Sequence, residues 1–218
     1  MTAKKKAVRS KKTIDQQLVI AAPNLQTATI VVRGTAPLVI HKFSKKARET
    51  IRQTQEAGPK AKSRKQREPR DFMSDYEEAR HISEEGWDGI PAAAFRSAMI
   101  SACKIAGFVM TRAKIAISVI ADGVDADSGQ PLVKIISKRG PEVHEDMVRL
   151  ATGVCNISVR PMWREWSAKV RVRWDADMLC ADDIANLLMR AGLQVGICEG
   201  RPDSKSSNGC GWGTFDLV

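Results

Sequence analysis

Ala168-Lys-Val-Arg-Val-Arg-Trp174 alternates strictly between apolar and cationic residues. Because successive side chains of a β-strand point to opposite faces, this alternation predicts a strand with one face in a core and the other exposed. The apolar members would enter the core. The cationic members would form a row on the exposed face of a sheet: Lys169, Arg171 and Arg173.

A helix and two short strands are predicted on the C-terminal side of this strand. Asp182 and Asp183 favour a helix N-terminus, because acidic groups complement the helix dipole there. The same segment carries an apolar stripe at helical spacing: Ile184, Leu187, Leu188 and Ala191. We expect the helix to end at Gly192 and the chain to close with strands over residues 195–198 and 214–218.

A second helix and further strands are predicted on the N-terminal side. Pro91 suits the first turn of a helix, and Gly107 suits its end. Its apolar face would contain Phe95, Ala98, Met99, Ala102 and Cys103. We also expect helix over residues 44–55 and a short helix over 76–82, whereas residues 137–156 carry few signals. β-Branched or alternating patterns predict strands over residues 26–33, 114–121, 132–136 and 157–163, with residues 38–43 continuing the first or leading out of it.

The order of these elements predicts an α+β fold. Apart from extra hairpin strands it is a ferredoxin-like βαββαβ arrangement, in which two helices cover one face of an antiparallel sheet. A chain of 218 residues is long enough to bury a sizeable core. We expect residues 1–13 to form a basic flexible tail and residues 14–218 a single domain, with a basic insertion at about 44–75.

Positive charge is concentrated in two segments of a chain whose net charge is +10. Residues 1–12 contain six Lys or Arg and no acidic residue, while residues 42–70 contain eleven Lys or Arg and three acidic residues. This distribution predicts a polyanion partner, nucleic acid above all. The alternative is a solvated surface with a disordered tail. The candidate contacts of the second segment are His41, Lys42, Lys45, Lys46, Arg64, Lys65 and Arg67.

A glycine-rich loop separates the last two predicted strands. Glycine lets backbone N–H groups approach a phosphate closely, and Arg and Lys within such a loop add positive charge. The candidate contacts here are Gly200, Arg201, Lys205, Gly209, Gly211 and Trp212. The alternative is a plain turn. Trp212 would either stack on a base or close over the loop as a lid on the core.

Other residue patterns argue against several classes of site. Five scattered cysteines without a CxxC pair indicate reduced thiols. We expect His81 and His144 at the surface, and no metal or other cofactor, since no ligand spacing occurs. The acidic turn around Asp125 lacks the later positions of a calcium loop. The N-terminus lacks the apolar region of a signal peptide and no apolar stretch would span a bilayer, so a cytoplasmic protein is expected.

Three stretches carry a resemblance to a known family. They are Gly89-Ile-Pro-Ala-Ala-Ala-Phe-Arg96, Arg160-Pro-Met-Trp163 with Trp166, and Gly192–Pro202 with Gly209–Phe215. Over roughly residues 27–218 the chain resembles the RAMP superfamily, the repeat-associated proteins of CRISPR systems. Within it, the chain looks like the backbone subunit that polymerises along guide RNA, and like solitary relatives carried by phages.

The resemblance implies an RRM-like core, RNA held along one face and a thumb-like insertion that reaches a neighbouring subunit. The chain departs from the family by being short and by lacking a large second insertion. A stand-alone filament-forming or decoy protein therefore fits its size better than a subunit of a full CRISPR effector. If a phage encodes it, the bacterial host cell is the expected location.

Three hypotheses for the function follow. The first is a non-catalytic protein that binds RNA or single-stranded DNA through the nucleic-acid backbone and assembles along it as a homo-oligomer or filament, with no membrane partner. The second is a metal-independent endoribonuclease of the RAMP type that uses His41 as general base. The third is a phage structural or CRISPR-interfering protein.

Overall fold

The computed structural model describes residues 20–58, 69–149, 153–204 and 209–218. The strands within these ranges are β1 (Leu25–Gly34), β2 (Leu38–Val39), β3 (Gly89–Pro91), β4 (Ile117–Ile120), β5 (Gly123–Val124), β6 (Pro131–Lys134), β7 (Glu142–Arg149), β8 (Cys155–Trp163), β9 (Ser167–Asp175) and β10 (Phe215–Leu217). The helices are α1 (Lys45–Ala57), α2 (Phe72–Glu78), α3 (Ala92–Ala106), α4 (Met110–Ala116) and α5 (Ala181–Arg190), and a π-helical turn over Ala191–Val195 follows α5.

The largest sheet has four strands in the order β10-β1-β9-β4, and all its neighbouring strands are antiparallel. Helices α3 and α5 pack on one face of this sheet. The core between them contains Val170 and Val172 of β9, Phe95 and Met99 of α3, and Leu188 of α5, none of which is exposed to solvent. The predicted α+β class is thereby confirmed.

The alternation predicted for β9 is confirmed. Its apolar residues are buried, while Lys169 and Arg173 are exposed and Arg171 is half-buried. The long pairing of β9 with β1 fixes this orientation, because a shift of one residue would send every apolar side chain to the solvent.

Two smaller three-stranded sheets complete the fold, in the orders β2-β8-β7 and β3-β6-β5. Strand β7 lies within residues 137–156, where the sequence carries few signals. Its side chains are mostly polar, and the strand forms because it pairs with β8 over its whole length, from Glu142 opposite Met162 to Arg149 opposite Cys155.

Helix α3 begins and ends as predicted. Pro91 precedes its first residue, and Gly107 ends it in the left-handed conformation with φ +73°. The apolar face predicted for this helix is buried throughout. Small residues such as Ala98 and Ala102 let the helix pack closely on the sheet.

One predicted strand is partly wrong and another is wrong. The strand predicted over 114–121 is present as β4, but it begins only at Ile117. Residues 114–116 belong to α4, because Ala113 and Ala116 form a buried face at helical spacing while Ile115 points to solvent. Residues 195–198 form no strand: the chain leaves α5 through the π-helical turn and continues as a loop. The last helix therefore does not end at Gly192.

Gly192 allows this continuation. A Cβ at this position would lie 2.0 Å from the backbone oxygen of Phe215, so only glycine lets the turn contact β10.

The predicted basic insertion is partly helical. Ser44 caps the N-terminus of helix α1: its Oγ accepts a hydrogen bond from the Ala47 amide at 3.1 Å. The helix has no buried residue. Helix α2 covers residues 72–78, earlier than the predicted 76–82. Residues 59–68 and the predicted tail, 1–13, lie outside the described residues. Within the described ranges, no helix is long and apolar enough to cross a membrane.

Candidate functional site

The face of the large sheet that points away from α3 and α5 carries the predicted cationic row. The β1–β9 register sets Thr27 opposite Arg173, Thr29 opposite Arg171 and Val31 opposite Lys169. Arg33 lies on the same face at the end of β1 and is exposed. We call this surface the open sheet face. It presents four cations on two adjacent strands: Arg33, Lys169, Arg171 and Arg173. The exposed Asp216 of β10 lies opposite Arg33.

The members of the row differ in their availability. Arg171 donates through Nη2 to Asp122 Oδ1 at 3.1 Å and to the Ala121 carbonyl, so its guanidinium is already engaged. Lys169 and Arg173 make no ion pair or side-chain hydrogen bond with any residue in the described ranges. These two side chains are therefore the cations that an anionic partner would meet first.

The open sheet face has no aromatic side chain among its outward positions on β1, β4, β9 and β10. The aromatic residues of this region point the other way: Trp174, Trp166 and Phe215 are buried in the core. Bases bind sheet surfaces of the RRM type largely by stacking on aromatic side chains. Without these rings, the face offers charge and hydroxyl groups, which suit phosphate oxygens better than bases.

The glycines of the predicted phosphate-binding loop fall into two groups. A Cβ on Gly200 would lie 2.4 Å from the Trp212 ring, and one on Gly213 would lie 2.0 Å from the Ile197 carbonyl oxygen. At these two glycines, the space that a phosphate would need is therefore occupied by Trp212 and Ile197 of the same chain. Gly209 and Gly211 adopt φ +70° and +74°, with open space where a Cβ would be. Lys205 lies outside the described residues.

Trp212 covers the loop. It is half-buried, packs against Gly200 and meets the His144 ring edge-on, with the ring centroids 5.1 Å apart. These contacts agree with the lid role considered from the sequence. His144 is itself half-buried, and its Nε2 atom has no partner among the described residues.

A cleft of about 390 Å³ lies between the start of α3 and the glycine-rich loop. Arg201 lines it, with its Nη1 donating to the Cys198 carbonyl at 2.9 Å. His41 and His81 line the same cleft, although 40 positions of sequence separate them. The predicted surface position of His81 is wrong: His81 is a buried residue of the cleft wall.

His81 belongs to a buried polar network centred on Asp125. The Nδ1 atom of His81 lies 2.9 Å from Asp125 Oδ2, and Lys42 Nζ donates to Asp125 Oδ1 at 2.8 Å and to Asp127 Oδ2 at 3.0 Å. The Ser128 amide and hydroxyl also donate to Asp125. The acidic turn noted in the sequence thus binds side chains of this chain.

This network sets the charge states of its members. Burial alone would raise the pKa of Asp125, but the Lys42 ammonium and the Ser128 amide outweigh it and hold that pKa well below its usual range. Desolvation lowers the pKa of His81, although the Asp125 carboxylate opposes this effect. His81 is therefore a neutral imidazole near neutral pH, with its Nδ1–H directed at Asp125.

Lys42 was predicted as a nucleic-acid contact, and its position does not allow that role. Only 7% of its side chain is exposed, and both carboxylates of the network hold its ammonium group. Lys45 is exposed but pairs with Asp127. Lys46 is exposed on α1. Arg64, Lys65 and Arg67 lie outside the described residues.

His41 lines the same cleft and is exposed. Desolvation, and then the positive charge of Arg160, lower the pKa of His41. Arg160 is only 9% exposed, its Nη1 lies 3.8 Å from Glu199 Oε2, and its Nε has no partner in the described ranges. Arg160 carries no signal in the sequence, because nothing in a strand pattern distinguishes a buried arginine.

Comparison of the chain with protein-family models and with curated proteins finds no match. Within the described part of the chain, no group of three or more His, Cys, Asp or Glu residues could hold a metal ion.

Proposed function

We propose that this protein is non-catalytic, binds RNA or single-stranded DNA through phosphate contacts, and assembles along the nucleic acid. The observation that carries this proposal is the open sheet face, where Lys169 and Arg173 are exposed without a partner in the described ranges. Alternate residues on one strand are about 6.8 Å apart. The row thus presents evenly spaced cations to an extended phosphate backbone, and it does so without groups that read bases.

The order of the large sheet supports a ferredoxin-like core. In chain order its strands are β1, β4, β9 and β10, so the order across the sheet is fourth, first, third, second. Helix α3 connects the first pair and α5 the last. This is the arrangement expected of a βαββαβ unit, and it supports the RRM-like fold that the resemblance to the RAMP superfamily implies.

Helix α1 supports assembly. It has 13 residues and no buried side chain, and an isolated helix of this length is only marginally stable in water. A helix without a packed face within its own chain gains stability from contact with a partner. Its cationic side chains suit nucleic acid or an acidic surface of a second copy, as proposed for a thumb-like insertion.

The first experiment measures the affinity of the full chain for mixed-sequence single-stranded RNA and DNA by fluorescence anisotropy. The double variant Lys169→Glu/Arg173→Glu should bind at least about tenfold more weakly, because it replaces two phosphate contacts by repulsion. Lys104→Glu/Arg112→Glu is the matched control, since it makes the same change of charge at exposed positions of α3 and α4. Equal losses in both variants would refute the assignment of the open sheet face.

A second candidate function, the metal-independent endoribonuclease, is favoured by the two histidines of the cleft. His81, held by Asp125, has the arrangement of an oriented general base, and His41, the general base predicted from the sequence, is a second proton acceptor in the same cleft because its pKa is also lowered. In such cleavage the 2′-oxygen loses its proton to the base and bonds to phosphorus, while the 5′-oxygen leaves and takes a proton from water. Cleavage of RNA in excess chelator, lost in His81→Gln, would favour this function over the first.

A further inference from the structure

The cleft beside the glycine-rich loop has the size and walls of a small-ligand site. Its volume of about 390 Å³ lies in the range of pockets that enclose small molecules. One wall is the start of α3, where short side chains leave room, and the other is the segment from Gly196 to Glu199. Val195, Ile197 and Ala98 give it an apolar surface suited to a planar ring.

A buried arginine lies behind the wall of the cleft, next to Glu199. Arg160 does not itself line the cleft and is only 9% exposed; its Nε has no partner within the described residues, and Glu199, which does line the cleft, approaches its Nη1 only to 3.8 Å. A buried charge with so loose a partner is costly. Arg201 lines the cleft and donates one hydrogen bond to the Cys198 carbonyl, so its guanidinium has further N–H groups for an anion.

The other groups of the cleft accept hydrogen bonds. Asp125 accepts a hydrogen bond from the Nδ1–H of His81, which leaves the Nε2 lone pair of this ring as an acceptor. Asp203 and Glu199 add carboxylates to the lining. A ligand that satisfies the whole cleft therefore has an anionic group at one end, hydroxyl or amino donors, and an apolar ring.

We propose that this cleft binds a nucleoside monophosphate unit, with the phosphate at Arg160 and Arg201, the ribose or base donors at Asp203 and His81, and Glu199 displaced from Arg160. The unit is either a free mononucleotide or the phosphorylated terminal nucleotide of a strand. This site is separate from the open sheet face and does not require it.

Calorimetric titration of the full chain with AMP, CMP, GMP and UMP tests this proposal, with the matching nucleosides and inorganic phosphate as comparison probes. At least one mononucleotide should bind about tenfold more tightly than its nucleoside and than phosphate alone, since both ends of the cleft contribute. Arg160→Gln should lose about tenfold in mononucleotide affinity. Because this buried change can also disturb folding, its thermal melt is recorded alongside.

Two variants at positions outside the core, the exposed Ser97 and the half-buried Glu199, keep the test independent of folding. Ser97→Phe fills the cleft from α3 and should abolish mononucleotide binding. Glu199→Gln removes the carboxylate that competes for Arg160 and should strengthen it. Mononucleotide binding that neither variant changes would overturn the proposal, as would binding no tighter than that of the nucleosides.

Further probes separate the two sources of the ligand. A 5′-phosphorylated oligonucleotide that displaces the mononucleotide, when its 5′-hydroxyl counterpart does not, identifies a strand end as the ligand. If neither oligonucleotide displaces the mononucleotide, the ligand is a free nucleotide. Lys169→Glu/Arg173→Glu should weaken binding of single strands but leave mononucleotide affinity unchanged. The proposal for the open sheet face and the proposal for the cleft can therefore be refuted separately.

Discussion

At the scale of single residues, burial separates cations that look alike in the sequence. Lys42 and Lys45 lie three positions apart in one basic segment, yet Lys42 is a buried structural residue and Lys45 is exposed. Lys42 is buried because its ammonium group pairs with Asp125, which lies 83 positions away in the sequence. Local sequence cannot reveal such a pairing, because it depends on how β2, β3, β5 and β6 come together.

Replacement of Lys42 should therefore destabilise the fold. Lys42→Met leaves the Asp125 carboxylate buried without its ammonium partner and should cost about 3–5 kcal/mol of unfolding free energy. Lys45→Met breaks an exposed pair and should cost no more than about 1 kcal/mol. Denaturant unfolding of both variants measures the difference, and equal costs would show that the buried network does not stabilise the protein.

The neutral state of His81 predicts a dependence of stability on pH. Its pKa is lowered in the folded protein from the ordinary 6.5. Below pH 6.5 the unfolded chain therefore binds a proton that the folded chain does not, and unfolding free energy falls as pH falls.

His81→Gln removes the imidazole that binds this proton in the unfolded chain. It should therefore flatten the fall of unfolding free energy between about pH 7 and 5, where carboxylates contribute little. Thermal melts across this range measure it. His41→Gln is a second test of the same linkage, because the pKa of His41 is also lowered in the folded protein and its replacement should flatten the fall of unfolding free energy as well. A decline as steep in His81→Gln as in the wild type would contradict the account of the network.

At the scale of elements, strands that alternate and helices with end signals were predictable, and elements stabilised by distant partners were not. The alternation of β9 and the Pro91–Gly107 bounds of α3 are local signals. Strand β7 forms because β8 pairs with it. Residues 114–116 look like the start of a strand in the sequence, but they are helical because Ala113 and Ala116 pack into the core at helical spacing. The candidate sites follow the same division: the cationic row could be predicted from the sequence, whereas the cleft lined by His81 and Glu199 could not.

The glycine-rich loop offers a prediction about packing. Gly200→Ala places a Cβ 2.4 Å from the Trp212 ring and also strains a backbone with φ +66°. Gly211→Ala meets only the backbone strain, at φ +74° with no atom within 4 Å, which costs about 1–2 kcal/mol. Gly200→Ala should therefore lower the melting temperature more than Gly211→Ala. The reverse order would show that Trp212 does not pack on the loop.

At the scale of the whole molecule, a sheet with helices on one face leaves its other face for function. The large sheet buries its apolar side under α3 and α5 and turns Lys169 and Arg173 to the solvent. The charge concentrated in residues 42–70 was predicted from the sequence as a binding surface. The structure removes Lys42 from that surface, which leaves the open sheet face as the best-defined candidate for phosphate contact.

The salt dependence of binding tests the central claim most directly. The affinity of the full chain for single-stranded RNA is measured over a range of salt concentrations, for the wild type, Lys169→Ala/Arg173→Ala and the control Lys104→Ala/Arg112→Ala. Loss of two phosphate contacts on a single strand should reduce the slope of log affinity against log salt by about 1.4 in the first variant and leave the control unchanged. Wild-type affinity that does not vary with salt, or equal slopes in the two variants, would contradict binding of nucleic acid at the open sheet face.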